Sequence, residues 1–68
     1  MPRVRVRILG GEVKEVEVDN GARVADVLRA AELLSTEYVV TKNGRVVAED
    51  ELVTDGDELV LYPVVSGG

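Results

Sequence analysis

Neither cysteine nor histidine occurs among the 68 residues, so chemistry is left to carboxylates, two lysines and the ends of the main chain. Without a thiol there is no disulfide, no cysteine-ligated zinc and no cysteine-held iron–sulfur cluster. Without an imidazole, a general base at neutral pH would have to be a strongly perturbed carboxylate or lysine. Classical triads and most transition-metal sites are thereby excluded. The carboxylates crowd into Glu49, Asp50, Glu51, Asp55, Asp57 and Glu58. They lack the spacing, central turn glycine and distal bidentate Glu of a calcium loop. No metal is expected, and the series reads as a solvated acidic rim that contributes to electrostatic steering. Lys14 and Lys42 are possible attachment points, with surface solubility as the safer reading.

The other chemically suggestive feature is the ending "YPVVSGG", which closes on Gly67 and Gly68. At glycine's average usage of about 7%, two such residues in succession arise by chance roughly once in two hundred chains. Lacking Cβ, they can thread a narrow channel and adopt backbone angles closed to other residues. Extended at about 3.3 Å per residue, residues 64–68 would carry a terminal carboxylate roughly 16 Å beyond the last strand. Ser66 is small and polar and does not obstruct that reach.

The net charge of −5 and the pI near 4.5 argue against a nucleic-acid backbone as the main partner. Tyr38 and Tyr62, the only aromatics, leave little for base stacking. A hydrophobic content of 46% is enough for a packed core, at a length near the lower limit for an unaided one. The apolar runs are too short to span a bilayer and no signal peptide opens the chain, so a soluble, cytoplasmic protein with no membrane partner is expected.

The elements that must carry the ending follow from periodicity. "RVRVRIL" alternates, placing Val4, Val6 and Ile8 opposite Arg3, Arg5 and Arg7. Gly10-Gly11 turns the chain, and "EVKEVEV" returns with Val16 and Val18 in phase. Val13 is out of phase, which predicts a bulge or a late strand start. Val24, Val27, Leu28 and Ala31 then fall at helical spacing and predict about three turns of helix. Arg23 is a poor N-cap there, partly offset by Asp26 in the first turn. "EYVVTKNGRVV" is a hairpin around Asn43-Gly44. A charged connector follows, with Leu52 expected to plug the core, and "ELVLYPV" is the last strand. A lone helix covers one face of a sheet, so the order hairpin, helix, hairpin, strand predicts an α+β roll with the first and last strands parallel at its centre. The expected organisation is a domain over residues 1–63 and an extended tail over 64–68.

"NGRVVAEDELVTDGDELVLYPVVSGG" resembles the C-terminal half of the ThiS and MoaD sulfur carriers and of ubiquitin-related small archaeal modifier proteins. The "NG" turn, the "DGDEL" lead-in to the last strand and the closing "GG" stand in the family's order. "RVADVLRAAEL" is similar to the family helix, with Arg23 where a capping Thr is usual. The resemblance implies a ubiquitin-like β-grasp fold, with a mixed four- to five-stranded sheet on one helix and a flexible diglycine tail. It implies a protein that is not an enzyme and binds no cofactor, and a monomer is expected. Its reacting group would be the Gly68 carboxylate, with Gly67 beside it. An adenylating, ubiquitin-activating-like partner would use ATP and Mg²⁺ to form an acyl-adenylate. A sulfur donor would then yield a thiocarboxylate for an acceptor synthase or tRNA thiolase, serving thiamine, molybdopterin or tRNA thiolation. Alternatively, Gly68 would be conjugated to target-protein lysines as a modifier, or the domain would be a plain interaction module.

Alternation in the last strand separates Leu59 and Leu61 from Val60 and Tyr62. If the leucines face the helix, Val60, Tyr62 and Val39 lie on the open face beside the arginine stripe. An apolar patch edged by charge on an uncovered sheet is a protein-binding surface, unless the arginine stems simply cover it. The activating enzyme is the natural partner for this surface, at Val39, Val60, Tyr62, Arg5 and Arg7, because it must grip the domain while the tail enters its active site. Val64, Val65 and Ser66 would form the reach to its active site.

Overall fold

The computed structural model describes residues 1–64. Along the chain run β1 (Arg3–Ile8), β2 (Val13–Glu17), α1 (Val24–Ala30), a 3-10 turn (Ser35–Glu37), β3 (Tyr38–Lys42), β4 (Arg45–Val46) and β5 (Glu58–Pro63). The five strands form one sheet in the order β2-β1-β5-β3-β4. β1 and β5 are parallel at its centre, and the outer pairings are antiparallel. This is the expected α+β β-grasp arrangement.

The alternation of β1 and β5 decides the layers. Val4, Val6, Leu59 and Leu61 are fully buried against Val24, Val27 and Leu28 of α1. Each such side chain contributes about 1.5–3 kcal/mol by leaving water. Val40, Val16 and Val18 extend the same core, with Ile8 and Val47 partly buried at its margin. Asn43 and Gly44 take φ values of 51° and 90°. Positive φ at both central residues is what a two-residue type I′ hairpin requires.

Three local expectations need correction. Val13 starts neither a bulge nor a late strand: the β1–β2 register is continuous from Arg3↔Glu17 to Arg7↔Val13. It is out of phase with Val16 because it points to the other face of the sheet. The helix has seven residues rather than about three turns. It stops because Glu32 enters the left-handed region at φ 61°. There the Glu32 N–H donates to the Arg29 carbonyl at 3.0 Å and the Leu33 N–H to the Leu28 carbonyl at 2.8 Å. That is a Schellman closure with glutamate in the position glycine usually takes.

Leu52 does not plug the core: it is 49% exposed, and Val53, at 4%, fills that place. An antiparallel bridge between Arg23 and Leu52 fixes the connector's phase. The Val53 N–H donates to the Ala22 carbonyl at 3.0 Å. The connector itself supplies the cap that Arg23 lacks. The Val24 and Ala25 N–H groups donate to the Glu51 and Glu49 carbonyls at 2.8 and 2.9 Å. Asp26 Oδ2 accepts from the Arg23 N–H at 2.9 Å, and the Arg23 guanidinium reaches the Asp50 carbonyl at 2.6 Å. Amides that would otherwise be orphaned in the first turn are thus satisfied by a segment that reads in sequence as mere surface charge.

Candidate functional site

The last strand, which leads to the diglycine, is anchored at its start by side chains. Asp57, immediately before β5, is buried. Its Oδ2 accepts from the Thr54 N–H at 2.7 Å and the Thr54 hydroxyl at 3.2 Å. Its Oδ1 accepts from Asn43 Nδ2 at 3.1 Å. Asn43 closes the circuit, accepting through Oδ1 from the Glu58 N–H at 3.1 Å and donating its own N–H to the Glu58 carbonyl at 2.9 Å. Beside it, Asp55 Oδ1 accepts from the Arg3 N–H at 2.8 Å. The start of β5 is therefore tied to β1 and to the β3–β4 turn by side chains as well as by the ladder. Burial opposes ionisation of Asp57. The Thr54 amide, the Asn43 amide, the Thr54 hydroxyl and the Lys42 charge outweigh it and hold the carboxyl below its usual range.

The acidic series is accordingly not a uniform solvated rim. Asp57 and Asp55 are structural acceptors, Glu58 pairs with Arg7 at 3.5 Å and Glu51 pairs with Lys42 at 3.0 Å. Among the described residues no group of acidic side chains is arranged to hold a metal ion. The lysines are not free surface amines either. Lys42 Nζ donates to Glu51 Oε2 and to the Leu52 carbonyl, both at 3.0 Å. Lys14 Nζ donates to the Ala31 carbonyl at the end of the helix at 3.3 Å.

The sheet face opposite α1 has two zones. At one end, Arg3 and Arg5 form cross-strand pairs with Glu17 at 3.4 Å and Glu15 at 3.6 Å. These pairs are exposed and contribute about 0–1 kcal/mol each, so a partner can displace them at little cost. The other end is richer in apolar side chains, interrupted by Arg7, which pairs with Glu58, and by Thr41. The register aligns Val13, Arg7, Val60, Thr41 and Val46 in one row across all five strands and sets Val39 opposite Tyr62 in the next. Val39 and Tyr62 are 42% and 41% exposed, and Val60 is half-buried between its neighbours.

Val39, Val60, Tyr62 and Arg7 thus come together, with Arg5 one row away among the ion pairs. Val13 and Val46, both exposed, complete the apolar zone and are missed from sequence. Val13's reversed phase is the signal for one. Counting back from the Asn43-Gly44 turn, which sets Thr41 opposite Val46, is the signal for the other.

β5 hands over to the ending at Pro63. Pro63 lies opposite Tyr38, and the Val64 N–H donates to the Glu37 carbonyl at 2.9 Å. Val64 is thus tied to the 3-10 turn that leads into β3. Val65, Ser66, Gly67 and Gly68 lie outside the described residues. No helix among the described residues is long and apolar enough to cross a membrane.

Comparison with known proteins agrees with this architecture. Residues 2–62 match the family described as small archaeal modifier protein 2. Over 65 residues the chain is 37% identical to small archaeal modifier protein 2 of Haloferax volcanii, covering 96% of this chain and 97% of that protein. Ubiquitin from Caldiarchaeum subterraneum superposes with a TM-score of 0.73 at 27% identity, over 98% of each chain. A Pyrococcus furiosus protein assigned as molybdopterin converting factor, subunit 1, gives a TM-score of 0.76 at 24% identity, over 96% of this chain and all of that one. This last likeness bears on the fold alone.

Proposed function

The chain belongs to the small archaeal modifier protein 2 family, and from that premise we propose that it is a substrate for carboxyl activation, delivered through Gly68. A free carboxylate is a poor acyl donor because oxide is a poor leaving group. In the first step a Gly68 carboxylate oxygen bonds to the α-phosphorus of ATP and pyrophosphate leaves, with ATP and Mg²⁺ held by an adenylating partner. A sulfur nucleophile then bonds to the carbonyl carbon and AMP leaves. With a sulfur donor the product is a thiocarboxylate, and the chain carries sulfur to an acceptor synthase or tRNA thiolase. With a protein thiol the product is a thioester. A lysine amine of a target then forms an amide, releasing the thiol and a proton.

The observation that carries this reading is a match to the family over residues 2–62, followed within a few residues by Gly67-Gly68. The apolar zone around Val39, Val60 and Tyr62, bordered by Arg5 and Arg7, gives the adenylating partner a surface to grip on the strand that leads to the diglycine. Apolar patches rimmed by displaceable charge suit such docking. Val64, Val65 and Ser66 are the reach. The designation of the Haloferax volcanii relative as a modifier favours conjugation as the fate of the activated terminus.

Intact-mass measurement after incubation with the activating enzyme, ATP, Mg²⁺ and a sulfur donor tests the proposal. An oxygen-to-sulfur mass gain at Gly68 supports the carrier, and Gly-Gly remnants on target lysines support the modifier. The absence of adenylate, thiocarboxylate and conjugate would sink both and leave a plain interaction module.

A further inference from the structure

Pro63 closes a central strand, where proline is ordinarily excluded because it cannot donate to the ladder. Continuing the β1–β5 register one step past Ile8↔Leu61 identifies the bond it withholds. Along the parallel β1–β5 pair the Arg5 N–H donates to the Asp57 carbonyl at 3.0 Å and the Leu9 N–H to the Leu61 carbonyl at 2.9 Å. In a parallel ladder each such residue's carbonyl accepts from the amide two positions beyond the residue its own N–H reaches. For Leu9 that amide belongs to Pro63, which has no hydrogen to give. On the opposite edge of β5 the bonding continues, because the Val64 N–H reaches the Glu37 carbonyl at 2.9 Å.

We propose that Pro63 is a positioning residue for the reacting terminus. β1 turns away after Ile8. By withholding the amide that the Leu9 carbonyl would accept, Pro63 removes the last bond the β1–β5 ladder could add before that turn, so that Val64 is held from the β3 side. Among the described residues Val64 is then secured by its bond to the Glu37 carbonyl, and a partner can draw the strand end out by replacing that bond with its own. The proposal's functional consequence rests on the adenylation reading above, whereas its effect on the ladder does not.

The test is Pro63→Ala in the full chain, with a synthetic chain carrying N-methylalanine at the same position as the matched control that again lacks the N–H. By NMR, the amide that the Pro63→Ala substitution introduces is expected to show a through-hydrogen-bond coupling to the Leu9 carbonyl. Its exchange should be roughly three- to tenfold slower than an unstructured amide, the worth of one net hydrogen bond. With the activating enzyme, kcat for adenylate formation should fall by a similar factor at unchanged KM, because the docking face is untouched, and N-methylalanine should restore it. If the introduced amide exchanges at the unstructured rate, the proposal is overturned. So it is by a protected amide with unaltered kcat, or by a loss that N-methylalanine does not restore. Failure of the wild-type chain to be adenylated would instead overturn the adenylation reading, and the NMR arm would still decide how Pro63 acts on the ladder.

Discussion

Replacing Asp57 with alanine removes the acceptor that holds the start of β5, and the structure sets the size and pH dependence of the loss. Three donors converge on the carboxylate, from the Thr54 amide, the Thr54 hydroxyl and Asn43 Nδ2, at 2.7, 3.2 and 3.1 Å. Hydrogen bonds to a charged group contribute about 1.5–3 kcal/mol each when fully buried. Thr54 and Asn43 are themselves exposed, so water recovers part of that, and the expected net loss is about 2–3 kcal/mol. For a domain of this size such a change lowers the melting temperature by roughly 10–20 °C.

The sign of the pH dependence follows from the depressed carboxyl. Its ordinary value is 3.8 and the folded value lies lower. The stabilisation is therefore fully present above the unfolded value and is lost as pH falls through the folded one. Urea unfolding of the wild type and Asp57→Ala across an acid series measures this. The gap between the two proteins should be constant from about pH 5 to 7 and shrink progressively below about pH 4. A gap under about 0.5 kcal/mol at neutral pH, the range of ordinary surface substitutions, would refute the reasoning. So would a gap that stays constant into strong acid.

Further outcomes follow from other sites. Glu32→Gly should stabilise the protein by about 0.5–1 kcal/mol, because Glu32 is strained in a left-handed conformation that glycine adopts freely. Denaturant midpoints check this, and a destabilised variant would contradict the helix-closure reading. Lys14 and Lys42 should react with an acetylating ester several-fold to roughly tenfold more slowly in the folded chain than in denaturant, as their hydrogen bonds must break first. Peptide mass spectrometry checks this, and equal rates would show the amines to be free. Val60→Arg and Tyr62→Ala should each raise KM for the activating enzyme by roughly tenfold or more, the scale of an interface anchor. Circular dichroism should stay native, since both side chains lie outside the core, and an unchanged KM would remove the open face from the docking account.

Much of this architecture can be read from residue order because each strong signal is local. The alternation of Val4, Val6 and Ile8 against three arginines, the helical spacing of Val24, Val27 and Leu28, and the Asn43-Gly44 turn each fix an element without outside information. The parallel centre then follows from covering one sheet with one helix. What escapes is set by contacts distant in sequence. Asp57 sits in a run of acidic residues and reads as solvated until the β3–β4 turn brings Asn43 onto it. Glu49 to Glu51 read as surface charge because it is their carbonyls, not their side chains, that cap α1. Leu52 and Val53 are adjacent apolar residues whose order of burial depends on the bridge to Arg23. On the open face, Val39, Val60 and Tyr62 are legible from alternation, whereas Val13 misleads because its reversed phase looks like a flaw in the inner face.

The central claim is that Gly68 presents the reacting carboxylate, and ATP–pyrophosphate exchange by the activating enzyme tests it most directly. The comparison is between the full chain and one lacking Gly67 and Gly68, both folded, since no described core residue is removed. Exchange supported by the full chain and absent with the shortened one is the predicted result. Equal exchange by the two chains would contradict it.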